Sequence, residues 1–562
     1  MSAANTTWVL IGSVLIFLMQ AGFAMVETGF TRAKNAGDIA LKKVINICIG
    51  TLCFWFVGFG IMFGSAGDVF GRFDFFIQGN YADLLPDGVP LAAFVMFQTA
   101  LCVIASTIIS GAMVERTKFS AYCTYCMVMT AVVYPVSGHW IWGDGWLNQL
   151  GFHDFSGSAA IHIVGGTAAC VGAKMLGARI GKYAEDGTTR AIPGQNITTG
   201  ALGVFMIWFC WFGLSGSSTL SMEGTFVTEA ADIFIKTNLA AAAAGCSTML
   251  VTWIRYKKPD VSLTLNGVLG GLVAVSAGCD TISTTGAVCI GIGAGVLMVF
   301  AIEWVEQKQK IDDPVGAISI HFICGVLGSA CVGLFSLDGG LVYGGGFKLL
   351  AVQILGSLCI SAWTGIVMYG VFYLIEKKMG LRVTEQEEID GLDSVQHSLT
   401  NAYADFMPSM NAQRKEELSA VVEIPLDKDI PIQLDSRLAA TPGALFKVQI
   451  ITKQSKLEML KTAMNQIGVT GMTVTQVLGC GIQKGAKDSY RGLPLEMDLL
   501  PKIQVDIVVA KVPVDTVVKA ARAALHTGHI GDGKIFIYDV RDAVKVRTGE
   551  TGYAAMQGLD II

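Results

Sequence analysis

The chain has 562 residues, of which 52% are hydrophobic and only 15% charged, with a formal net charge of −5. That balance excludes an ordinary soluble enzyme, and no basic stripe marks a nucleic-acid partner. The 14 cysteines fall mostly inside apolar windows, where free thiols act as small hydrophobes. The close pair Cys123-x-x-Cys126 has no second pair beside it, so neither a disulfide framework nor a metal site is expected.

Apolar windows of about 20 residues, the length that crosses a ~30 Å hydrocarbon layer, recur from the N-terminus to residue 376. They predict eleven spans, near 7–30, 44–66, 90–113, 119–138, 156–178, 197–219, 228–254, 261–279, 283–304, 314–336 and 347–376. The first seven residues show no basic region or cleavage site, so no removed signal peptide is expected. Basic residues cluster after the odd-numbered spans: Arg32, Lys34, Lys42 and Lys43 after the first, Arg116 and Lys118 after the third, Arg179 and Lys182 after the fifth. The positive-inside rule then puts the N-terminus outside and the C-terminal tail in the cytoplasm of a multi-pass protein of the cell (inner) membrane.

Two spans share one pattern. Asp154 precedes His162 by eight residues and Gly166 follows; Asp313 precedes His321 by eight and Gly325 follows, with Gly157 matching Gly316. One pattern enters from outside and the other from inside, so spans 1–5 and 6–10 read as an inverted repeat with one span added. Eight residues at ~1.5 Å each carry both histidines about 12 Å inward, toward mid-membrane, where an ionisable side chain marks a pathway. The two aspartates suit helix N-terminal caps.

The segment 381–444, with Pro425, Pro431 and Pro442, reads as a linker with some helix near 412–418. Alternation and periodicity then give a strand at 446–452, a helix at 456–467, a strand at 471–477, a polar Gly-rich stretch, a strand at 503–509, a helix at 514–525 and a strand at 534–540. This β-α-β-β-α-β order is that of a ferredoxin-like α+β domain over 445–562. Gly531-Asp-Gly-Lys534 between the last helix and strand can form a phosphate nest. No nucleophile–base arrangement appears in either part, so no enzyme is expected.

Met19-Gln-Ala-Gly-Phe-Ala-Met-Val-Glu27, Gly111-Ala-Met-Val-Glu-Arg116, Asp154 to His162, Asp312 to His321 and Gly380-Leu-Arg-Val383 resemble motifs of the Amt/Mep/Rh ammonium transporters over residues 7–405. The resemblance makes 1–380 an ammonium transporter membrane domain and implies a homotrimer in membrane lipid with one pore per subunit. It places Trp142 and Ser218 at an outer site for ammonium, Asp154 beneath it, and His162 and His321 as twin histidines of a dry pore for ammonia or ammonium. Phe97 and Trp211 match further pore aromatics. Leu101 and Leu214 stand where the family usually stacks two phenylalanines, and Phe322 follows the second histidine where the family often has glycine. These departures raise a second reading, an ammonium sensor that conducts little.

Tyr490-Arg-Gly492, Leu500-Pro-Lys502, Thr527 to Phe536 and Arg547-Thr-Gly-Glu550 resemble PII signalling proteins. That resemblance implies ATP, ADP, Mg2+ and 2-oxoglutarate as regulatory ligands. It assigns Gly481, Gln483, Gly531, Asp532, Gly533, Lys534, Lys545 and Arg547 to the nucleotide, Gln483 to magnesium, and Gln483 with Lys502 to 2-oxoglutarate. Arg491 matches the loop-tip arginine that plugs a transporter's cytoplasmic mouth, and other cytoplasmic signalling partners are compatible with the same tail.

Overall fold

Long apolar windows can satisfy their backbone polar groups in lipid only by coiling, and they do so here. The computed structural model describes all residues except 1, 66, 87, 400–443, 454–455, 470, 480–487, 491–492, 496–499, 528–531 and 557–562. The chain forms two compact units. In the first, among the described residues, ten helices are long and apolar enough to cross a membrane. They are α1 (Ala3–Phe30), α2 (Ala33–Phe63), α3 (Leu91–Met113), α4 (Phe119–Leu150), α5 (Ser158–Leu176), α6 (Ile197–Ser217), α7 (Phe226–Tyr256), α9 (Thr284–Lys308), α10 (Ile318–Phe335) and α11 (Lys348–Met379). The eighth expected span is shorter than its apolar window: α8 (Val261–Val275) stops at Ser276, whose backbone turns to serve another element.

Helix starts follow local chemistry. Asn196 caps α6, Asp260 caps α8 and Ser283 caps α9, each accepting from a backbone N–H three residues on. Large apolar side chains also face outward, among them Phe205 and Phe209 on α6, Ile254 on α7 and Ile366 on α11, each more than half exposed. Helices apolar on both inner and outer faces are those of a membrane bundle. After α11, Gly380 turns the chain into two short helices, α12 (Glu385–Asp390) and α13 (Leu392–His397), the first opened by a Thr384/Glu387 capping box.

The second unit is a four-stranded antiparallel sheet with two helices. Its elements are β1 (Leu445–Thr452), α14 (Leu457–Gln466), β2 (Thr473–Gly479), β5 (Leu500–Val509), α15 (Val514–Leu525) and β6 (Lys534–Val540). The strand order is β2-β5-β1-β6, with Val448 opposite both Ile507 and Ile537. Period-two alternation turns Val448, Ile450, Ile503, Val505 and Ile507 to one buried face, against Leu460 and Met464 of α14 and Val517 and Ala521 of α15. The stretch expected to be irregular also contains two short paired strands, β3 (Asp488–Tyr490) and β4 (Leu493–Leu495), because an extended chain finds partners for its backbone groups by folding on itself. The helical segment expected near 412–418 lies outside the described residues. A short helix, α16 (Gly552–Ala555), follows β6.

Candidate functional site: a buried histidine pair

The repeat seen in the sequence is a repeat of geometry. The Asp154 carboxylate accepts from the N–H groups of Gly157, Ala159 and Ala160 at 3.1, 2.8 and 2.8 Å. The Asp313 carboxylate accepts from Gly316, Ala317 and Ile318 at 3.1, 2.9 and 2.8 Å. Gly157 (φ +105°) and Gly316 (φ +85°) both take left-handed backbone to bring those N–H groups round. Each cap then leads into a six-residue π-helical turn, Ser158–Ile163 and Ile318–Ile323, and each turn carries the histidine. Wide turns of this kind are uncommon and gather at functional sites.

The two turns bring the histidines together. His321 Nδ1 lies 3.0 Å from His162 Nδ1, and the two ring planes are nearly parallel, with centroids 5.0 Å apart and 15° between planes. Two facing ring nitrogens hydrogen-bond only if one donates and the other accepts, so the pair shares one proton. Trp211 stacks on His162 at 5.2 Å and 13°, and its indole N–H donates to Ser276 Oγ at 3.0 Å. The early end of α8 is what leaves Ser276 there: its carbonyl also accepts from Ser156 N–H and its hydroxyl donates to Leu272. Phe23 of α1 approaches His321 with ring centroids 6.1 Å apart.

Close approach of the two histidine helices depends on the glycine four residues after each histidine. A Cβ on Gly166 would stand 2.3 Å from the backbone nitrogen of Phe322, and one on Gly325 would stand 2.7 Å from the carbonyl of Ser158. Phe322, which stands where the family often has glycine, thus meets Gly166 through its backbone. His162 and His321 are 0% and 4% exposed, so charge entering from water must cross apolar surroundings to reach them.

Other expected residues fall as follows. Trp142 donates its indole N–H to the backbone carbonyl of Asp154 at 2.7 Å, which joins a residue of the expected outer site to the aspartate expected beneath it. Ser218 donates its hydroxyl back to the Leu214 carbonyl at 2.8 Å. Phe97 and Leu101 are buried in α3, and Leu214 is buried in α6. In the second unit, Asp532 accepts from Thr527 N–H at 2.7 Å, and its backbone carbonyl accepts from Thr452 Oγ1. Gly533 (φ +118°) and Lys534 follow at the start of β6, beside Ile451. Lys545 pairs with Glu550 at 3.1 Å on the turn that also carries Arg547. Lys502 lies on β5 opposite Val477. Gly481, Gln483, Arg491 and Gly531 lie outside the described residues.

Sequence reasoning missed a buried ionic cluster at the other end of the helical unit. Arg179 grips Asp312 through Nε and Nη2 at 2.8 and 2.9 Å and reaches Glu115 with Nη1 at 2.8 Å. Arg116 donates to the backbone carbonyls of Asp312, Ala112, Val114 and Gly177. Burial opposes ionisation of Asp312, but Arg179 and then Arg116 outweigh it and hold the carboxyl well below the usual range. For Glu115 burial is likewise outweighed, by Arg179 and Arg32. The segment of α12 and α13 is tied to this end: Arg382 and the Ile180 N–H both contact the Glu388 carboxylate, and Asp393 accepts from the N–H groups of Gly37 and Asp38. The signal was present in the adjacent Glu115-Arg116 and Asp312-Asp313 pairs, but nothing in the sequence says which charges meet.

Residues 7–403 match the Ammonium Transporter Family and residues 445–550 match the Nitrogen regulatory protein P-II. A putative ammonium transporter of Synechocystis sp. is 39% identical over 404 residues, covering 71% of this chain and 89% of that protein. Ammonium transporter Amt2 of Archaeoglobus fulgidus is 38% identical over 424 residues, covering 71% and 88%. A solved structure described as a Sensor Amt Protein superposes with a TM-score of 0.67 at 36% identity, over 70% of this chain and 98% of that one. The chain therefore belongs to the ammonium transporter family, as a multi-pass membrane protein that carries a P-II nitrogen-regulatory domain at its C-terminal end.

Proposed function

We propose that this protein passes ammonia or ammonium through a dry pore centred on His162 and His321, under control of its own P-II domain. The observation that carries the reading is the buried Nδ1–Nδ1 contact at 3.0 Å. A cation is costly at that depth, whereas a neutral N–H molecule is not, and a histidine pair sharing one proton can exchange hydrogen bonds with it. Trp142, Ser218 and the Asp154 cap form the outer approach, where an aromatic face and a hydroxyl suit ammonium. Phe97, Trp211, Leu101 and Leu214 line the way to the histidines, the two leucines as a hydrophobic constriction.

The short helix α8 counts as a membrane crossing, which gives eleven spans, an inverted repeat of five plus five, an outer N-terminus and a cytoplasmic tail. Residues 1–380, 381–444 and 445–562 are the functional divisions. The antiparallel order β2-β5-β1-β6 with two helices supports a ferredoxin-like reading of the last. There Asp532, Gly533, Lys534, Lys545 and Arg547, with Gly481, Gln483 and Gly531, hold ATP or ADP. Gln483 serves magnesium, and Lys502 and Gln483 serve 2-oxoglutarate. The loop bearing Arg491 closes the cytoplasmic mouth of a homotrimeric pore, since threefold pore and threefold regulator share one symmetry axis without strain.

Ammonium-dependent current through purified protein in proteoliposomes is expected to fall with ADP and recover with Mg-ATP and 2-oxoglutarate. Equal currents under both ligand sets would sink the regulatory claim. The second reading, a sensor with little conduction, is favoured by Leu101 and Leu214 and by the similarity to the Sensor Amt Protein. It predicts near-zero current in the native protein and a rise in Leu101→Phe/Leu214→Phe.

A further inference from the structure

Below His321, toward the ionic cluster, lies a cavity of about 20 Å³, enough for one water-sized molecule. Phe23, Glu27, Ile108, Gly111 and Val315 line it, and so does His321. The carboxylate of Glu27 is not there by accident of packing: it is 3% exposed and ion-paired with Lys43, which is 2% exposed. Lys43 spends all three of its N–H donors locally, on Glu27, on Ser110 Oγ at 2.6 Å and on the Thr107 carbonyl at 3.3 Å. Ser110 in turn lies 2.9 and 3.2 Å from the two Glu27 oxygens. A carboxylate has about four acceptor positions, so these contacts leave Glu27 able to accept one more hydrogen bond.

Position 111 keeps the space open. A Cβ there would stand 2.8 Å from Val315 Cγ2 and 3.6 Å from Glu27 Oε1. One small cavity therefore joins the histidine pair to a charged residue whose charge is cancelled by a fixed lysine.

We propose that Glu27 is the next acceptor station for the neutral nitrogen molecule leaving His321, and that Lys43 is the charge that excludes cations from that station. The proposal rests on the reading that the pore conducts. An acceptor one molecule away from His321 gives ammonia a partner for its N–H groups in an otherwise apolar passage. A bare carboxylate at that depth would instead hold a metal cation or ammonium, because an unpaired buried charge recruits its counter-ion. Lys43 removes that option: with its donors occupied it cannot swing away, and its charge repels any cation entering the cavity. Glu27 and Lys43 thus set what passes, and the pair is a selectivity element rather than only a strut between α1 and α2.

The test uses the full-length protein in proteoliposomes, with ammonium-dependent current recorded in the presence and absence of potassium. Wild type is expected to ignore potassium. Lys43→Met should become potassium-sensitive, its half-saturating ammonium concentration rising about tenfold in ~0.1 M potassium, as expected for competition at an uncompensated charge. Glu27→Leu/Lys43→Met should lose that sensitivity again and carry current about tenfold below wild type, for want of the acceptor. A potassium-insensitive Lys43→Met, or a double variant that conducts like wild type, overturns the proposal. Should Lys43→Met fail to fold, Gly111→Ala fills the cavity with the ion pair intact, and wild-type current in that variant overturns it as well. Wild-type protein without any current would sink the transport reading alone. Calorimetric titration with potassium chloride then decides the station: binding heat in Lys43→Met and none in wild type or the double variant supports it, and identical traces refute it.

Discussion

Gly166→Val is expected to cut ammonium-dependent current by about a hundredfold while leaving the protein folded and inserted, since displacement of a reacting group by ~1 Å costs on that order. The reason is local. Even the Cβ of the new side chain would stand 2.3 Å from the Phe322 backbone nitrogen, and a backbone cannot rotate out of the way as a side chain can. α5 and α10 must separate, and the 3.0 Å contact between the histidine rings is the first casualty. Overpacking in a well-filled helical core costs about 1–3 kcal/mol, so the bundle should survive the change that the site does not. Tryptophan fluorescence gives an independent readout, because Trp211 stacks on His162 and reports the movement of that ring. Current within twofold of wild type would show that the histidine contact is not what limits conduction.

Asp312→Asn is expected to lower the stability of the helical unit by up to about 3 kcal/mol, the low end of the cost of breaking a buried ion pair, since Glu115 still faces the arginine. Arg179 is gripped at two points by the Asp312 carboxylate and at one by Glu115, and the substitution removes one of the two charges that compensate the guanidinium. Thermal unfolding in detergent measures the loss, and a melting temperature unchanged from wild type would refute the assignment. The pH dependence has a definite sign. The carboxyls of Asp312 and Glu115 are held below their ordinary range, so their contribution is complete above the unfolded value of about 4. It fades only as pH falls through the lower folded values. Stability that these groups supply is therefore flat from pH 5 to 8 and lost in acid, and Asp312→Asn should remove part of that acid sensitivity.

Most helices of the membrane unit were legible because one property, apolar length, decides them. The α8 window was the exception: apolar composition continues past Val275, but the chain leaves the helix there so that Ser276 can meet Ser156 and Trp211, a choice made by tertiary partners. Strand and helix positions of the four-stranded sheet followed from alternation and periodicity, while the β3–β4 ladder fell in a polar stretch that has neither signal.

By itself the sequence determined the two-part plan, the spacing that puts a histidine eight residues after each capping aspartate, and the position of each strand in the main sheet. Those are local properties: helix length, cap chemistry and side-chain period are written in neighbouring residues. Only the tertiary structure decided that the two histidines touch, 159 residues apart in the chain, and that Gly166 and Gly325 are what let them. It alone placed Glu27 in the same cavity as His321, neutralised by Lys43, and joined Arg179 to Asp312 across 133 residues. Pairing of charges and rings depends on which helix faces meet, and that is settled by packing between elements rather than by the pattern within any one of them.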